Sequence, residues 1–174
     1  IGSGAGEAGG SGGDIIYDKK FSNFELSLEW KISEGGNSGI FILAQELPDE
    51  PIYKSSPEMQ ILDNDRHPDA KLGVNGNRMA SSLYDLIPAN PQNTKPAGEW
   101  NQVGILCYQG TVVFKSNGEN VVEFHLWTDD WKKMVAESKF KDWEWFVNPA
   151  REGYIGLQDH GNDVWFRNIK IKEL

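Results

Sequence analysis

The sequence predicts an all-β fold, a jelly-roll sandwich of two antiparallel sheets that carries one short helix. The stretch "NFELSLEWKI" alternates between apolar and polar residues, which is the period of a strand buried on one face. Turn-forming pairs such as Gln109-Gly110 and Asn117-Gly118 separate short apolar runs. Only "TDDWKKMVAESKF" has its apolar residues at helical spacing. Many short strands with closely spaced turns are typical of a sandwich.

The chain divides into a glycine-rich opening and a single domain. Residues 1–13, "IGSGAGEAGGSGG", predict a tail or loop, and residues 14–174 form the domain. We expect a hairpin where Gly35-Gly36-Asn37 joins the first two strands, and a tight "HGN" turn before the last strand. The predicted strands, in order, are "NFELSLEWKI", "NSGIFILAQ", "EMQILD", "SSLYDLI", "WNQVGILCYQ", "TVVFK", "NVVEFHL", "GYIGLQD" and "DVWFRNIKIKEL".

Two elements need separate justification. The helix is predicted from Asp129 to about Ser138, with Thr128 or Asp129 as its N-cap. In the last strand the apolar residues change phase between Phe166 and Ile169. A β-bulge near Arg167, or burial of both faces, would explain that change.

Composition excludes some classes of function. The 174 residues carry a net charge of −9, which argues against a nucleic-acid partner, because phosphate binding needs clustered Lys and Arg. No apolar run is long enough to span a bilayer. The one cysteine, Cys107, lies in an apolar run and predicts a buried, inert thiol. Seven tryptophans suit both a core and stacking against sugar rings.

Six stretches together carry a family resemblance: "NFELSLEWKISEGGNSGIF", "PEMQILDND", "SLYDLIPA", "PAGEWNQVGI", "SKF" and "GYIGLQDHGNDVWFRNIKIKEL". In this order they resemble the DUF1080, or 3-keto-disaccharide hydrolase, domain family, from about Asp14 to Leu174. The resemblance implies a concanavalin A-like jelly roll with its site on a concave sheet. It also implies glycoside substrates oxidised at C3 of the sugar, and an exported bacterial protein that is periplasmic or extracellular.

The chain departs from the family pattern at two places. Further strands that usually precede the segment matching "GGDIIY" are missing or replaced by glycines. Leu43 stands where the family commonly has an arginine. If the arginine of other family members binds substrate, this chain has a different ligand or weaker activity.

The stretch "EMQILD" provides the first catalytic candidate. Glu58 and Gln60 lie two residues apart, so both side chains point to the same face of a strand. With the resemblance, Glu58 is predicted to be a general acid or base, and Gln60 to bind sugar hydroxyls. Ordinary glycoside hydrolysis needs two carboxyl groups, and the candidates for the second are Glu29 and Asp159.

A 3-keto sugar permits a different reaction, because the ketone acidifies the hydrogen at C2. A base removes that proton, the group at C1 leaves by elimination, and water then adds back. His160, in the family motif "QDHG", or Glu58 is the predicted base. Arg167 or a divalent cation is predicted to stabilise the enolate. No cofactor is otherwise implied.

Other residues are predicted to contact the sugar. Gln158 shares the side of His160 in "LQDHG", and Tyr84 lies in the family hallmark "LYDL". Trp100 and Trp165 are candidates for stacking against a pyranose, with core packing as the alternative. Trp143 and Trp145 follow the helix and are interpreted as a lid or an oligomer contact.

These patterns leave three functions open. The first is a carbohydrate-active hydrolase that cleaves 3-keto-glycosides or ordinary glycosides, with Glu58, Asp159 and His160 as its catalytic residues. The second is a non-catalytic carbohydrate-binding module on the same jelly roll, which Leu43 and the unproven second acid favour. The third is a structural sandwich in a larger surface assembly. The sugar, its linkage and the oligomeric state stay open.

Overall fold

The structure, a computed structural model, describes residues 13–174. These residues form nine strands and two short α-helices, so the prediction of an all-β sandwich is confirmed. Residues 1–12 of the predicted glycine-rich tail lie outside the described residues. The strands are β1 (Ile15–Ile16), β2 (Phe24–Ile32), β3 (Asn37–Ala44), β4 (Glu58–Leu62), β5 (Asn101–Tyr108), β6 (Thr111–Ser116), β7 (Glu119–His125), β8 (Tyr154–Leu157) and β9 (Val164–Glu173); the helices are α1 (Asp129–Ala136) and α2 (Glu144–Val147).

The strands form two antiparallel sheets that pack face to face. One has four strands in the order β1-β8-β3-β4, and the other has five in the order β7-β6-β5-β2-β9. Apolar residues at alternate positions of each strand fill the space between the sheets, including Leu26 and Leu28 of β2 and Ile40 of β3. Both sheets therefore keep an outer face, and the functional question is which outer face carries a site.

The predicted hairpin at Gly35-Gly36-Asn37 is wrong, because β2 and β3 belong to different sheets. The turn carries the chain across the sandwich, with Gly35 at a φ of 65° and its amide donating to Asp63 Oδ2. The "HGN" turn is likewise a crossover, since β8 and β9 lie in different sheets. A turn motif indicates a reversal of direction but not which sheet receives the next strand.

Other local predictions have mixed outcomes. The two-residue turns Gln109-Gly110 and Asn117-Gly118 are confirmed, and all four residues have positive φ, as a type I′ turn requires. The bulge is also confirmed: the β2–β9 register shifts between Ser27 and Glu29, and Asn168 has a φ of 54°. It rotates the end of β9 so that Ile171 again packs on the core.

The helical predictions were partly right. Helix α1 begins as expected, with the Thr128 hydroxyl accepting from the Trp131 amide, but ends at Ala136. A second helix, α2, was not predicted. The segment "SSLYDLI" is not a strand, because Ser81 and Asp85 have positive φ and the chain turns back on itself there. No helix among residues 13–174 is long and apolar enough to cross a membrane.

Candidate active site

A cavity of about 250 Å³ lies on the outer face of the four-stranded sheet. Glu58 and Gln60 of β4 form part of its floor, opposite in register to Phe41 and Gly39 of β3. Their neighbours Met59 and Ile61 point the other way, into the core between the sheets. The cavity is lined by Asn37, Tyr53, Ser56, Glu58, Gln60, Tyr84, Lys139, Phe140, Trp143, Phe146, Gln158 and His160.

Aromatic residues that follow α1 form the wall of the cavity. Phe140 stacks on Phe146, with ring centroids 4.2 Å apart, and Trp143 packs against Tyr53 at 5.9 Å. Phe146 also stacks on Trp131 of α1, which ties the wall to the body of the fold. This wall covers the outer face of β4, so Glu58 and Gln60 are buried although they point away from the core. Trp143, interpreted from the sequence as part of a lid or an oligomer contact, is one of the lining residues.

Within residues 13–174, Glu58 is the only carboxyl group among the side chains that line the cavity. Its exposure is 9%, and burial raises its pKa from 4.5 to about 8, because the charged form loses its hydration. The nearby Lys139 ammonium opposes this rise, and the carboxyl groups of Asp14 and Asp69 reinforce it. At neutral pH, Glu58 therefore holds its proton and can donate it.

Gly39 makes room for the Glu58 side chain. A methyl group added at Gly39 would overlap the Glu58 carboxyl group and stand 2.9 Å from its Cγ. The carboxyl group therefore lies over the backbone of β3, in space that only a glycine leaves open.

Lys139 was missed in the sequence, although it lies in the motif "SKF". Its ammonium is 4.1 Å from the centre of the Tyr84 ring and 5.2 Å from that of Phe140. The side chain as a whole is exposed, yet desolvation where it meets these rings lowers its pKa. The lysine therefore places a positive charge at the cavity, near Glu58.

Tyr84 lines the cavity as predicted, but its hydroxyl is already engaged. It donates to Asp69 Oδ2 at 2.8 Å, and Arg78 donates to Asp69 Oδ1 at 3.0 Å and to Asp85. Burial, reinforced by Asp69, raises the pKa of Tyr84 far above its usual value. Tyr84 therefore offers the cavity its ring rather than a free hydroxyl.

His160 lines the cavity, whereas its neighbour Asp159 does not. Asp159 is buried, and its carboxylate accepts from the Gly161 amide at 3.0 Å. The Asp159 amide donates to Asp14 Oδ1 at 2.9 Å, which fixes the loop that carries His160. The prediction that Asp159 is catalytic is not supported by this position; it shapes the loop. Asp14 was missed because nothing in the sequence links it to "QDH".

Four other predicted site residues come together, but at a different place. Trp100, Trp165, Arg167 and Glu29 lie on the outer face of the five-stranded sheet, and none of them lines the cavity. Lys31 lies 4.4 Å from the Trp165 ring centre, and the Arg167 guanidinium is 3.9 Å from that of Trp100. Arg167 also pairs with Glu29. The prediction that Glu29 is a second acid beside Glu58 is therefore wrong, because the two carboxyl groups lie on different sheets.

For the glycoside cleavage that the family resemblance predicts, we expect Trp165→Ala to change kcat/KM less than twofold, because Trp165 is not among the residues that line the cavity. Trp143→Ala, which removes part of the cavity wall, serves as the matched variant and should reduce kcat/KM at least tenfold. Initial rates with both variants, after checking their circular dichroism, measure the difference. A tenfold loss of kcat/KM in Trp165→Ala would instead show that the outer face of the five-stranded sheet takes part in the reaction.

Leu43 lies in the core rather than in the cavity. It is fully buried, with a φ of 55°, at a bulge between Phe41 and Ala44 of β3. Among residues 13–174, no three His, Cys, Asp or Glu side chains gather as metal ligands. The predicted divalent cation therefore has no such cluster to hold it in the described part of the chain.

The fold is a jelly roll of the kind found in galectin-like proteins and carbohydrate-binding modules. A carbohydrate-binding module, CBM66 from Bacillus subtilis, shares the fold with a TM-score of 0.57 at 13% identity, over 99% of this chain and 92% of that one. The model of the 3-keto-alpha-glucoside-1,2-lyase-like domain family matches residues 2–172, so the chain belongs to that family. The resemblance read from the sequence is confirmed.

Two relatives are similar over most of this chain. A 3-keto-disaccharide hydrolase from Bacteroides thetaiotaomicron is 56% identical over 99% of this chain. The chain spans 66% of that protein's length, just under two thirds. A crystal structure of a candidate glycosyl hydrolase from Parabacteroides distasonis matches with a TM-score of 0.84 and 31% identity, over 92% of this chain and 76% of that one.

Proposed function

We propose that the chain cleaves glycosides whose sugar is oxidised at C3, by elimination across C1 and C2 followed by addition of water. The observation that carries the proposal is that Glu58 is the one carboxyl group that the described part of the chain brings to the cavity, buried with a raised pKa beside His160 and Lys139. Paired-carboxylate hydrolysis needs a second acid near the first. Elimination next to a ketone needs one acid, one base and a positive charge.

Each of the three groups has a role in the proposed reaction. His160 takes the proton from C2, and the electron pair moves toward the C3 ketone as an enolate. The Lys139 ammonium stabilises the negative charge on the C3 oxygen. The enolate then forms the C1–C2 double bond as the C1–O bond breaks, and Glu58 gives its proton to the leaving oxygen. Water adds a hydroxyl to C1 and a proton to C2, which completes a net hydrolysis.

The relatives support this reading through their names. The matched family is described as 1,2-lyase-like, and the Bacteroides relative is named a 3-keto-disaccharide hydrolase. Elimination is the first stage of the reaction proposed here, and net hydrolysis is its overall result. The predicted export to the periplasm or cell surface stays a prediction.

Incubation with 3-keto-trehalose or 3-keto-sucrose tests the proposal, with unoxidised trehalose and sucrose as controls. We expect release of free glucose or fructose from the oxidised sugars alone, and in deuterium oxide the product should carry deuterium at C2. Deuterium enters there only if the C2 proton is removed. Sugar binding without cleavage, in the wild type as in Glu58→Gln, would favour the non-catalytic carbohydrate-binding module instead.

A further inference from the structure

Two side-chain amide oxygens at the cavity have no hydrogen-bond partner. Asn37 Oδ1 and Gln158 Oε1 are buried and unpaired, and both residues line the cavity. Among the side chains of residues 13–174, only one other buried polar atom lacks a partner, Asn93 Oδ1. Asn93 lies elsewhere, and its Nδ2 donates to Ser116 O at 2.8 Å and to Glu119 at 3.0 Å. Two of the three unpaired atoms therefore meet in one cavity.

The main chain at both residues is held by hydrogen bonds, so the positions from which the two side chains extend are fixed. The Asn37 amide nitrogen of the main chain donates to Asn162 Oδ1 at 3.2 Å. The Gln158 main chain donates to Gly39 O at 2.9 Å and accepts from the Ser38 hydroxyl at 2.8 Å. Asn37 and Gln158 thus extend from neighbouring strand ends with fixed backbones.

An unpaired buried amide destabilises a protein, because it has lost water and gained no partner. Asn37 is only 7% exposed, and an apolar side chain of its size would avoid that cost. An amide offers both a donor and an acceptor and carries no charge. Its natural partner is a hydroxyl group, which also donates and accepts, rather than a phosphate or a free cation.

We propose that Asn37 and Gln158 bind the hydroxyl groups at C4 and C6 of the sugar ring that bears the ketone. This inference rests on the proposed function, in which Glu58, His160 and Lys139 engage the C1 oxygen, the C2 hydrogen and the C3 oxygen. The hydroxyls at C4 and C6 are then left for the amides. The substrate class is a 3-keto hexopyranoside with free 4- and 6-hydroxyls. Asn37 and Gln158 do not contact the leaving group, so its identity does not affect their binding.

The first test uses Asn37→Leu and Gln158→Leu, with Asn101→Leu as the matched control. Asn101 is buried, as Asn37 is, but its amide is paired with Lys95 and Asn117. Without ligand, Asn37→Leu should melt at the same or a higher temperature than wild type, and Asn101→Leu at a lower one. Methyl glucoside, an unreactive probe, should bind Asn37→Leu and Gln158→Leu at least tenfold more weakly than wild type by calorimetry. Unchanged binding in both variants would overturn the proposal.

The second test uses methyl 3-keto-glucoside and its 4-deoxy and 6-deoxy counterparts. Wild type should process each deoxy sugar with kcat/KM lowered about tenfold or more, and Asn37→Leu and Gln158→Leu should each be insensitive to one of the two deletions. Equal rates on all three sugars in wild type would contradict the assignment. Failure of the proposed reaction is distinguishable, because then no sugar is cleaved while methyl glucoside binding still depends on the amides.

Discussion

Glu58→Gln is expected to abolish cleavage of 3-keto-glycosides, lowering kcat by a factor of about 10² to 10⁴, because an amide cannot give a proton to the leaving oxygen. Gln has nearly the shape of a protonated Glu, so the cavity and the fold should persist. Steady-state rates with 3-keto-trehalose measure the loss. Binding of methyl glucoside should change little, which separates the loss of chemistry from a loss of binding.

The same variant should change the pH dependence of stability. The folded protein holds the Glu58 proton up to about pH 8, whereas the unfolded chain releases it near 4.5. Between these values the folded state binds more protons than the unfolded state, so raising the pH lowers the free energy of unfolding by about 1.4 kcal/mol per unit. Glu58→Gln lacks this slope and should be more stable than wild type at pH 8.5, with little difference near pH 4.5.

Denaturant unfolding of both proteins at several pH values measures this effect. Asp14 also has a raised pKa from burial, so some slope should remain in the variant at the acid end. Parallel stability curves for wild type and Glu58→Gln across the whole range would show that Glu58 ionises normally and would remove the basis for its acid role.

Gly39→Ala is expected to lower kcat/KM at least a hundredfold while leaving the fold intact. The added methyl group would occupy the space of the Glu58 carboxyl group, which must then swing away from its present position. Gly39 is not among the glycines with positive φ, so alanine brings no backbone strain, and the damage should fall on the site. A displaced acid can cost this much, because proton transfer depends on position.

Gly104→Ala is the matched control for this variant. Gly104 is also a strand glycine, in β5, and a methyl group there would stand 3.4 Å from the nearest atom, Leu26 O. Gly104→Ala should therefore keep near wild-type activity and a similar melting temperature. Equal activity in Gly39→Ala and wild type would show that the Glu58 carboxyl group does not need the space over β3.

The sequence indicated much of the cavity floor because strand alternation is a local property. Glu58 and Gln60 could be placed on one face from spacing alone, and the "QDH" motif added Gln158 and His160. The same alternation placed Glu29 on a polar face, but it does not say which of two sheets that face belongs to. Sheet membership depends on long-range pairing, as the mistaken hairpin between β2 and β3 also shows.

The cavity wall could not be predicted from spacing. Phe140, Trp143 and Phe146 reach the sheet because the segment after α1 folds back over β4, and its residues follow no regular period. Lys139 becomes functional only through its neighbours on that wall. Asn37 looked like an ordinary turn residue, and only the hydrogen bonds of the folded chain reveal its unpaired amide.

The ionisation of Glu58 is the most direct test of the account. Carbon-13 NMR of protein labelled at its glutamate carboxyl groups, titrated from pH 4 to 9, follows each group separately, and Glu58→Gln identifies the signal. We predict one glutamate signal that titrates near pH 8 in wild type and is absent from the variant. If every glutamate titrates near its ordinary value, Glu58 is already charged at neutral pH and cannot be the acid that frees the leaving group.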